Sequence, residues 1–183
     1  MVVGLLLAGS LLAATPAVVP PAESKRERAV VHDIYATDQG QYLVVLRTER
    51  EPTRFLPIWV GETEAIAIRM RLDRRNPPRP LTLNLLESVI ASSRLKVQHI
   101  TIDGIRDGIF FSSLRLKQQG RAWDVDARPS DAIGLALGRG APIYVTQEVL
   151  ERAAFDPKEV LRDFKAGKNI DAGESFSGYE DTL

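Results

Sequence analysis

The amino-acid sequence predicts an α/β protein of the α+β kind, a single compact domain in which helices pack on a mixed, largely antiparallel sheet. Three observations carry this expectation. Runs of β-branched and aromatic residues are separated by turn residues such as Thr37-Asp38-Gln39-Gly40, Asp107-Gly108 and Gln119-Gly120. Helix-forming runs with acidic or polar starts interrupt them. Three strand-like runs then follow one another between residues 95 and 127 with only turns between them, which implies a meander.

In chain order, "AVVHDIYA" and "QYLVVLRTE" read as the first two strands and "RFLPIWV" as a third. Pro57 removes a backbone donor from that third run, so the position belongs at a sheet edge or a bulge. Gly61 ends it. "ETEAIAIRMRLD" follows as a helix that buries one face through Ala65, Ile66, Ile68, Met70 and Leu72, with Glu62 and Glu64 in the first turn, where the dipole favours anions. The stiff basic connector "RRNPPRP" leads to the helix "LTLNLLESVIASS", with Thr82 as N-cap and an apolar repeat of Leu85, Leu86, Val89 and Ile90. "LKVQHITIDGI", "GIFFSSLRLKQ" and "RAWDVDA" form the meander. "PSDAIGLALG" is a short helix with Ser130 as N-cap and Gly138 or Gly140 as its stop; "APIYVT" and "QEVLERAA" supply a last strand and helix. "DPKEVLRDFKAG" adds a further small helix, and the remaining tail reads as disordered.

With 183 residues, 44% hydrophobic and 26% charged, the chain has the composition of a globular domain with extra sequence at both ends. Residues 1–17 read as an export signal, 18–28 as a Pro-rich linker, 29–153 as the domain and 154–183 as an acidic extension. The apolar run near the start is shorter than the ~20 residues a membrane span needs, so no stable span is expected. A secreted or periplasmic location follows if the leader works, and a cytoplasmic one if it does not. The formal charge of zero excludes a simple polyelectrolyte binder. It is unevenly spread, because residues 171–183 hold four acids and no base, which leaves 24 basic against 20 acidic residues in the rest. With no cysteine there is neither a disulfide framework nor a thiolate nucleophile. His32 and His99 lack partners at metal-site spacing and read as surface or edge residues, and P-loop, GxGxxG, GxSxG and HExxH patterns are absent.

The chemistry concentrates in "WDVDARPSDAIGLALGRG". Strand alternation turns Trp123, Val125 and Ala127 to the core and lines Asp124, Asp126 and Arg128 on the other face. A helix N-terminus, an anion-binding element, comes next. Two carboxylates can hold a divalent ion such as Mg²⁺ through hard oxygens, and an arginine can clamp phosphate bidentately. Metal-assisted phosphodiester hydrolysis uses those parts. Asp126, Arg128, Asp131, Glu62 and Glu64 are therefore the candidate catalytic residues. Arg79, Thr82, Asn84 and Ser130 are candidate substrate contacts, and Asp124 with Asp126 the candidate metal ligands. The same residues also read as a plain ion pair, helix caps and first-turn charges; spacing leaves both readings open. Convergence of three helix starts on one hollow would separate them.

The ordered motifs "LPIWVGETEAIAI", "RPLTLNLL", "VQHITIDGIRDGIFFSSL" and "VDARPSDAIGLALGRGAPIYVT" resemble the bifunctional nuclease domain family over about residues 29–153. The resemblance implies an α/β domain, homo-oligomeric assembly, and RNase and DNase activity on nucleic acid as substrate. It places Glu62, Glu64, Arg79, Thr82, Asp126, Arg128, Ser130 and Asp131 on motif positions without assigning their individual roles. One departure stands out. Where relatives typically read Thr-His-Asp-Leu, this chain reads Thr82-Leu83-Asn84-Leu85, and an amide cannot take a proton at neutral pH. A non-catalytic module that keeps an anion pocket without turnover is the alternative.

Overall fold

The computed structural model describes residues 25–36 and 40–158. The expected leader, most of the linker, the tip of the first turn and the residues from 159 onward lie outside the described residues. The elements are β1 (Arg26–Ala36), β2 (Tyr42–Thr48), β3 (Phe55–Val60), α1 (Glu62–Leu72), α2 (Thr82–Ser92), β4 (Lys96–Arg106), β5 (Ile109–Gln118), β6 (Arg121–Ala127), α3 (Pro129–Arg139), β7 (Ile143–Thr146) and α4 (Gln147–Ala153). Strand β1 starts at Arg26, inside the stretch read as linker.

The seven described strands form one sheet in the order β3-β2-β1-β7-β4-β5-β6. Every pairing is antiparallel except β4 with β7, where Ile100, Thr101 and Ile102 face Ile143, Tyr144 and Val145. The meander β4-β5-β6 forms as expected. Helix α3 then carries the chain back over the sheet, and β7 closes the gap between β1 and β4. Pro57 sits on the edge strand β3 opposite Val45, the placement in which a sheet tolerates a missing N–H.

The core lies between the sheet and the helices. Val44, Leu46, Ile58, Ile100, Ile102, Leu114, Leu116 and Val145 meet Ile68, Leu83, Ile90, Ile133, Leu135 and Leu150. Helix α3 is the central rod, buried through Ala132, Ile133, Gly134, Leu135 and Ala136. Its small residues admit its neighbours closely. A Cβ on Gly134 would lie 2.5 Å from Leu83 Cδ1, and one on Gly138 would run into the Glu87 carboxylate and lie 3.1 Å from Arg71 Nε. Leu83 and Glu87 are four apart in α2, as Gly134 and Gly138 are in α3, so the two helices run parallel. Helix α1 does too, since Glu64 near its start meets Arg128 at the start of α3 and Arg71 near its end meets Gly138. Arg71 and Glu87 close the far part of this layer, with the guanidinium donating to Glu87 Oε1 at 2.6 Å and 3.2 Å and to the Ala67 carbonyl at 3.1 Å.

Several sequence expectations change here. Thr82 is the first residue inside α2, not its cap. Leu81 is the cap, and its N–H donates to Asn84 Oδ1 at 3.1 Å. Ser130 is likewise inside α3 and buried, because Pro129 at the first helical position makes Arg128 the cap. Gly140, with φ 62°, is the left-handed stop. The α2 repeat faces outward, leaving Leu85, Leu86 and Val89 exposed, while Leu83 and Ile90 are its buried residues. In α1, Ile66 is exposed and the buried positions are Ala65, Ala67 and Ile68. Trp123 and Val125 do share the face of their partners Leu116 and Leu114. Each is nonetheless 39% exposed, since β6 is the sheet edge. No helix among the described residues is long and apolar enough to cross a membrane.

Candidate functional site

Because α1, α2 and α3 are parallel, their N-termini gather at one end of the helix layer. Each N-terminus carries a partial positive charge of roughly half a unit from its unpaired N–H groups. Strand β3 delivers Glu62 and Glu64 there through the extended Gly61. Strand β6 delivers Arg128, and the first turn of α3 supplies Asp131. Arg128 ties the elements together. Its Nε donates to Asp131 Oδ2 at 2.7 Å, and its Nη2 donates to Asp131 Oδ1 at 3.2 Å and to Glu64 Oε1 at 2.9 Å. The guanidinium is held more firmly protonated than usual, first by the Asp131 bond and charge and then by Glu64. Its side chain is still 67% exposed, so solvent and solutes reach it.

Glu64 is the least exposed acid of this cluster, at 22%, and its carboxylate lies over Gly61 so closely that a Cβ there would collide with it. Glu62 accepts a bond from the Tyr42 hydroxyl at 3.3 Å, and the Glu62 charge, followed by burial, raises the Tyr42 pKa. Tyr42 was missed in the sequence because its partner is twenty positions away, and no local signal marks it. Glu62, Glu64, Asp131 and Arg128 have three negative charges and one positive, partly offset by the helix ends. The corner therefore carries a surplus of negative charge around its one arginine. Arg128 is engaged by carboxylates, so an incoming phosphate must displace one of them to be gripped.

The other expected residues lie apart. Asp124 and Asp126 stand opposite Arg115 and Ser113, on the sheet face away from Leu114 and Leu116 and hence away from the helices. Asp124 accepts from Arg115 Nη1 at 2.6 Å. Asp103 on β4 belongs to the same face. Partial desolvation first, and then the charges of Asp126 and Asp124, hold its solvent-exposed carboxyl above the ordinary carboxylate range, although a bond from Ser113 pulls the other way. Sequence reading missed Asp103; its alternation with His99 and Thr101 was the available signal. Among the described residues no three His, Cys, Asp or Glu side chains stand close enough to hold a metal ion together.

Arg79, Thr82 and Asn84 belong to the start of α2 and its approach, and Leu83 beside them lies level with Gly134, nearly two turns along α3 from Arg128. Leu83 fills the notch at Gly134, and Asn84 closes the helix start through Leu81. In this chain the two positions that depart from the His-Asp pattern therefore have packing and capping roles. Ser130 is buried and cannot meet a ligand without movement of α3.

Comparison with known proteins agrees with the motifs. An uncharacterized protein of Mycobacterium tuberculosis (strain ATCC 25618 / H37Rv) is 34% identical over 146 residues, covering 79% of this chain and 87% of its own length. Bifunctional nuclease 1 of Oryza sativa subsp. indica and the bifunctional nuclease of Oryza minuta are each 28% identical over 111 residues, 59% of this chain. The match spans 34% of each rice protein's length. The family model described as bifunctional nuclease domain matches residues 44–158, the region that runs from within β2 through α4 and holds every residue of the Arg128 cluster except Tyr42. The chain belongs to the bifunctional nuclease domain family.

Proposed function

We propose that the protein hydrolyses phosphodiester bonds in RNA and DNA with little sequence preference, and that the chemistry takes place at the joined starts of α1 and α3. The observation that carries this reading is the three-way junction of Arg128 with Glu64 and Asp131, exposed to solvent in a chain of nuclease family membership. A phosphate diester can compete for the Arg128 fork, since guanidinium binds phosphate bidentately as readily as carboxylate. The displaced Glu64 then loses its counter-charge, becomes a stronger base, and takes the proton of an attacking water. The water oxygen bonds to phosphorus as the ester P–O bond breaks, and the leaving oxygen is protonated from solvent. Arg128 and the free N–H groups of the helix ends balance the charge that develops on the phosphoryl oxygens. Asp131 positions the guanidinium, and Tyr42 fixes Glu62.

The test is cleavage of single-stranded RNA and DNA by the purified protein, with and without chelator, against Glu64→Gln and Arg128→Ala. General-base removal lowers rates by about 10²-fold or more. Equal cleavage by wild type and both variants would refute the assignment.

A second reading is favoured by Leu83 and Asn84: a module that binds a phosphate- or carboxylate-bearing ligand without turnover. It is tested by Leu83→His with Asn84→Asp. A gain of cleavage over an inactive wild type identifies a decayed enzyme.

Assembly and location complete the proposal. Leu85, Leu86 and Val89 on α2, together with Trp123 and Val125 on the open edge of β6, expose more apolar surface than scattered side chains would. Homo-oligomerisation through this face is expected in light scattering, with Leu85→Lys and Val89→Lys giving a smaller species. Export through residues 1–17 is checked by cell fractionation and N-terminal sequencing of the mature chain.

A further inference from the structure

The far end of the helix layer is as basic as the near end is acidic. All three parallel helices finish with the same pair of backbone bonds, the longer of which reaches back five positions from a residue just past the helix. Arg75 N–H bonds Met70 O, Leu95 N–H bonds Ile90 O and Ala141 N–H bonds Ala136 O. The motif puts one residue in the left-handed region, where a side chain is strained. In α3 that residue is Gly140, at φ 62°. In α1 and α2 it is Arg74, at φ 54°, and Arg94, at φ 55°. The fold thus accepts arginine at two positions where its own third copy uses the unstrained glycine.

These arginines have company. Arg139 is the last residue of α3. Gln118 Nε2 donates to the Ser93 carbonyl at 2.5 Å, which pins the end of α2 to the end of β5. There Lys96 stands directly opposite Lys117, and Arg121 opposite Gln118. Like charges facing each other across a ladder oppose pairing. Seven arginines elsewhere hold a carboxylate: Arg28, Arg54, Arg69, Arg71, Arg115, Arg128 and Arg152. None of the six basic residues at this end forms a side-chain bond or ion pair with a described residue. All six are exposed. Asp73 is the one carboxylate within two positions of any of them along the chain.

We propose that this end, built from Arg74, Arg94, Lys96, Lys117, Arg121 and Arg139, is a docking surface for the phosphate backbone of a nucleic-acid strand. The inference rests on the nuclease reading for its choice of polyanion. Helices of 11 residues separate the two ends by about 16 Å, which equals roughly five phosphates along one strand of a duplex. A strand anchored on the basic end can therefore reach the Arg128 junction. Anchoring remote from the chemistry explains how a corner with a surplus of carboxylates meets a polyanion. The interactions are with phosphate, so the surface confers affinity and no sequence preference.

The experiment is fluorescence anisotropy of a labelled single-stranded DNA oligonucleotide with the full chain, over a salt series and in parallel with cleavage. Every phosphate that the protein ceases to neutralise lowers the slope of log affinity against log salt by about 0.7 on a single strand. The triple variant Lys96→Ser, Lys117→Ser, Arg121→Ser is expected to bind at least about 10-fold more weakly at low salt, with a slope shallower by about two units. Arg74→Gly with Arg94→Gly is the second probe. It relieves the strained backbone, so the melting temperature holds or rises while affinity falls, an outcome that damage to the fold cannot mimic. Arg152→Ser, on a paired arginine of α4, is the control and leaves binding unchanged.

Wild-type affinity and slope in both basic-end variants would overturn the proposal, even if cleavage is robust. Binding to phosphatidylserine vesicles that needs these residues, without oligonucleotide binding, would also overturn it in favour of a membrane surface. Salt-dependent oligonucleotide binding that disappears in the variants, in a wild type that cleaves nothing, would support this surface and sink only the nuclease reading. Where cleavage exists, the variants raise KM on long substrates and leave kcat unchanged.

Discussion

Replacing Glu87 by alanine tests the parallel helix layer that brings the candidate site together. The Arg71–Glu87 pair is the most enclosed ion pair among the described residues, with side chains 10% and 17% exposed. Arg71 gives two N–H groups to Glu87 and a third to the Ala67 carbonyl. Removing the carboxylate leaves a largely desolvated guanidinium with two donors unmet. A fully buried pair broken in this way costs about 3–5 kcal/mol. The remaining exposure lets water reach the orphaned group, which lowers the expected cost to about 2–3 kcal/mol. A domain of this size loses about 3–4 °C of melting temperature per kcal/mol, so Glu87→Ala should melt roughly 6–12 °C below wild type. Glu87→Gln keeps the shape and one acceptor and should lose about half as much. Gly138→Ala attacks the same junction from α3 by driving a methyl group into the Glu87 carboxylate. Calorimetry or circular dichroism reads all three. A cost below about 0.5 kcal/mol for Glu87→Ala, the level of an exposed pair, would refute the packing argument.

Further outcomes follow from single groups. Gly140→Ala, at φ 62°, should cost about 1 kcal/mol in denaturant unfolding, because alanine resists the left-handed region. His99 accepts from Arg26 Nη1 at 2.8 Å, and burial, then Arg26, lower its pKa, with Asp124 opposing. Its folded pKa lies below the unfolded value of about 6.5, so its contribution is present above that pH and is lost as pH falls toward the folded pKa. His99→Gln should flatten the melting-temperature profile in that window. Asp103 has the opposite sign: its raised pKa makes the ionised form unfavourable above the folded pKa and harmless below the ordinary carboxylate range. Asp103→Asn should therefore raise the melting temperature at neutral pH, with the gain fading in acid.

Much of this fold was legible in the sequence because its signals are local. The β-branched and aromatic run "QYLVVLRTE" and the turns at Asp107-Gly108 and Gln119-Gly120 mark strands wherever they pair. Pro57 announced an edge for the same reason. What depends on distant partners was not legible. Nothing near Ile143 says that β7 inserts between β1 and β4, and nothing near Trp123 says that β6 ends the sheet and leaves that ring half open. The cap at Arg128 could have been read, since proline at the first helical position puts the cap one residue earlier than Ser130. At the site, the acids and arginines were found as residue types. Their grouping was not, because it follows from glycines 134 and 138 drawing α1 and α2 alongside α3. That packing joins Glu64 to Arg128 and leaves Asp124 and Asp126 on the far face of the sheet.

We propose that the Arg128 junction turns over phosphodiesters. Its most direct measurement is the cleavage rate of one labelled RNA strand by wild type, Glu64→Gln and Asp126→Asn proteins of equal melting temperature. Chemistry at Arg128 predicts wild-type cleavage, a loss of about 10²-fold or more for Glu64→Gln, and near wild-type rates for Asp126→Asn. Full activity in Glu64→Gln with loss in Asp126→Asn would move the chemistry to the other face of the sheet and contradict it.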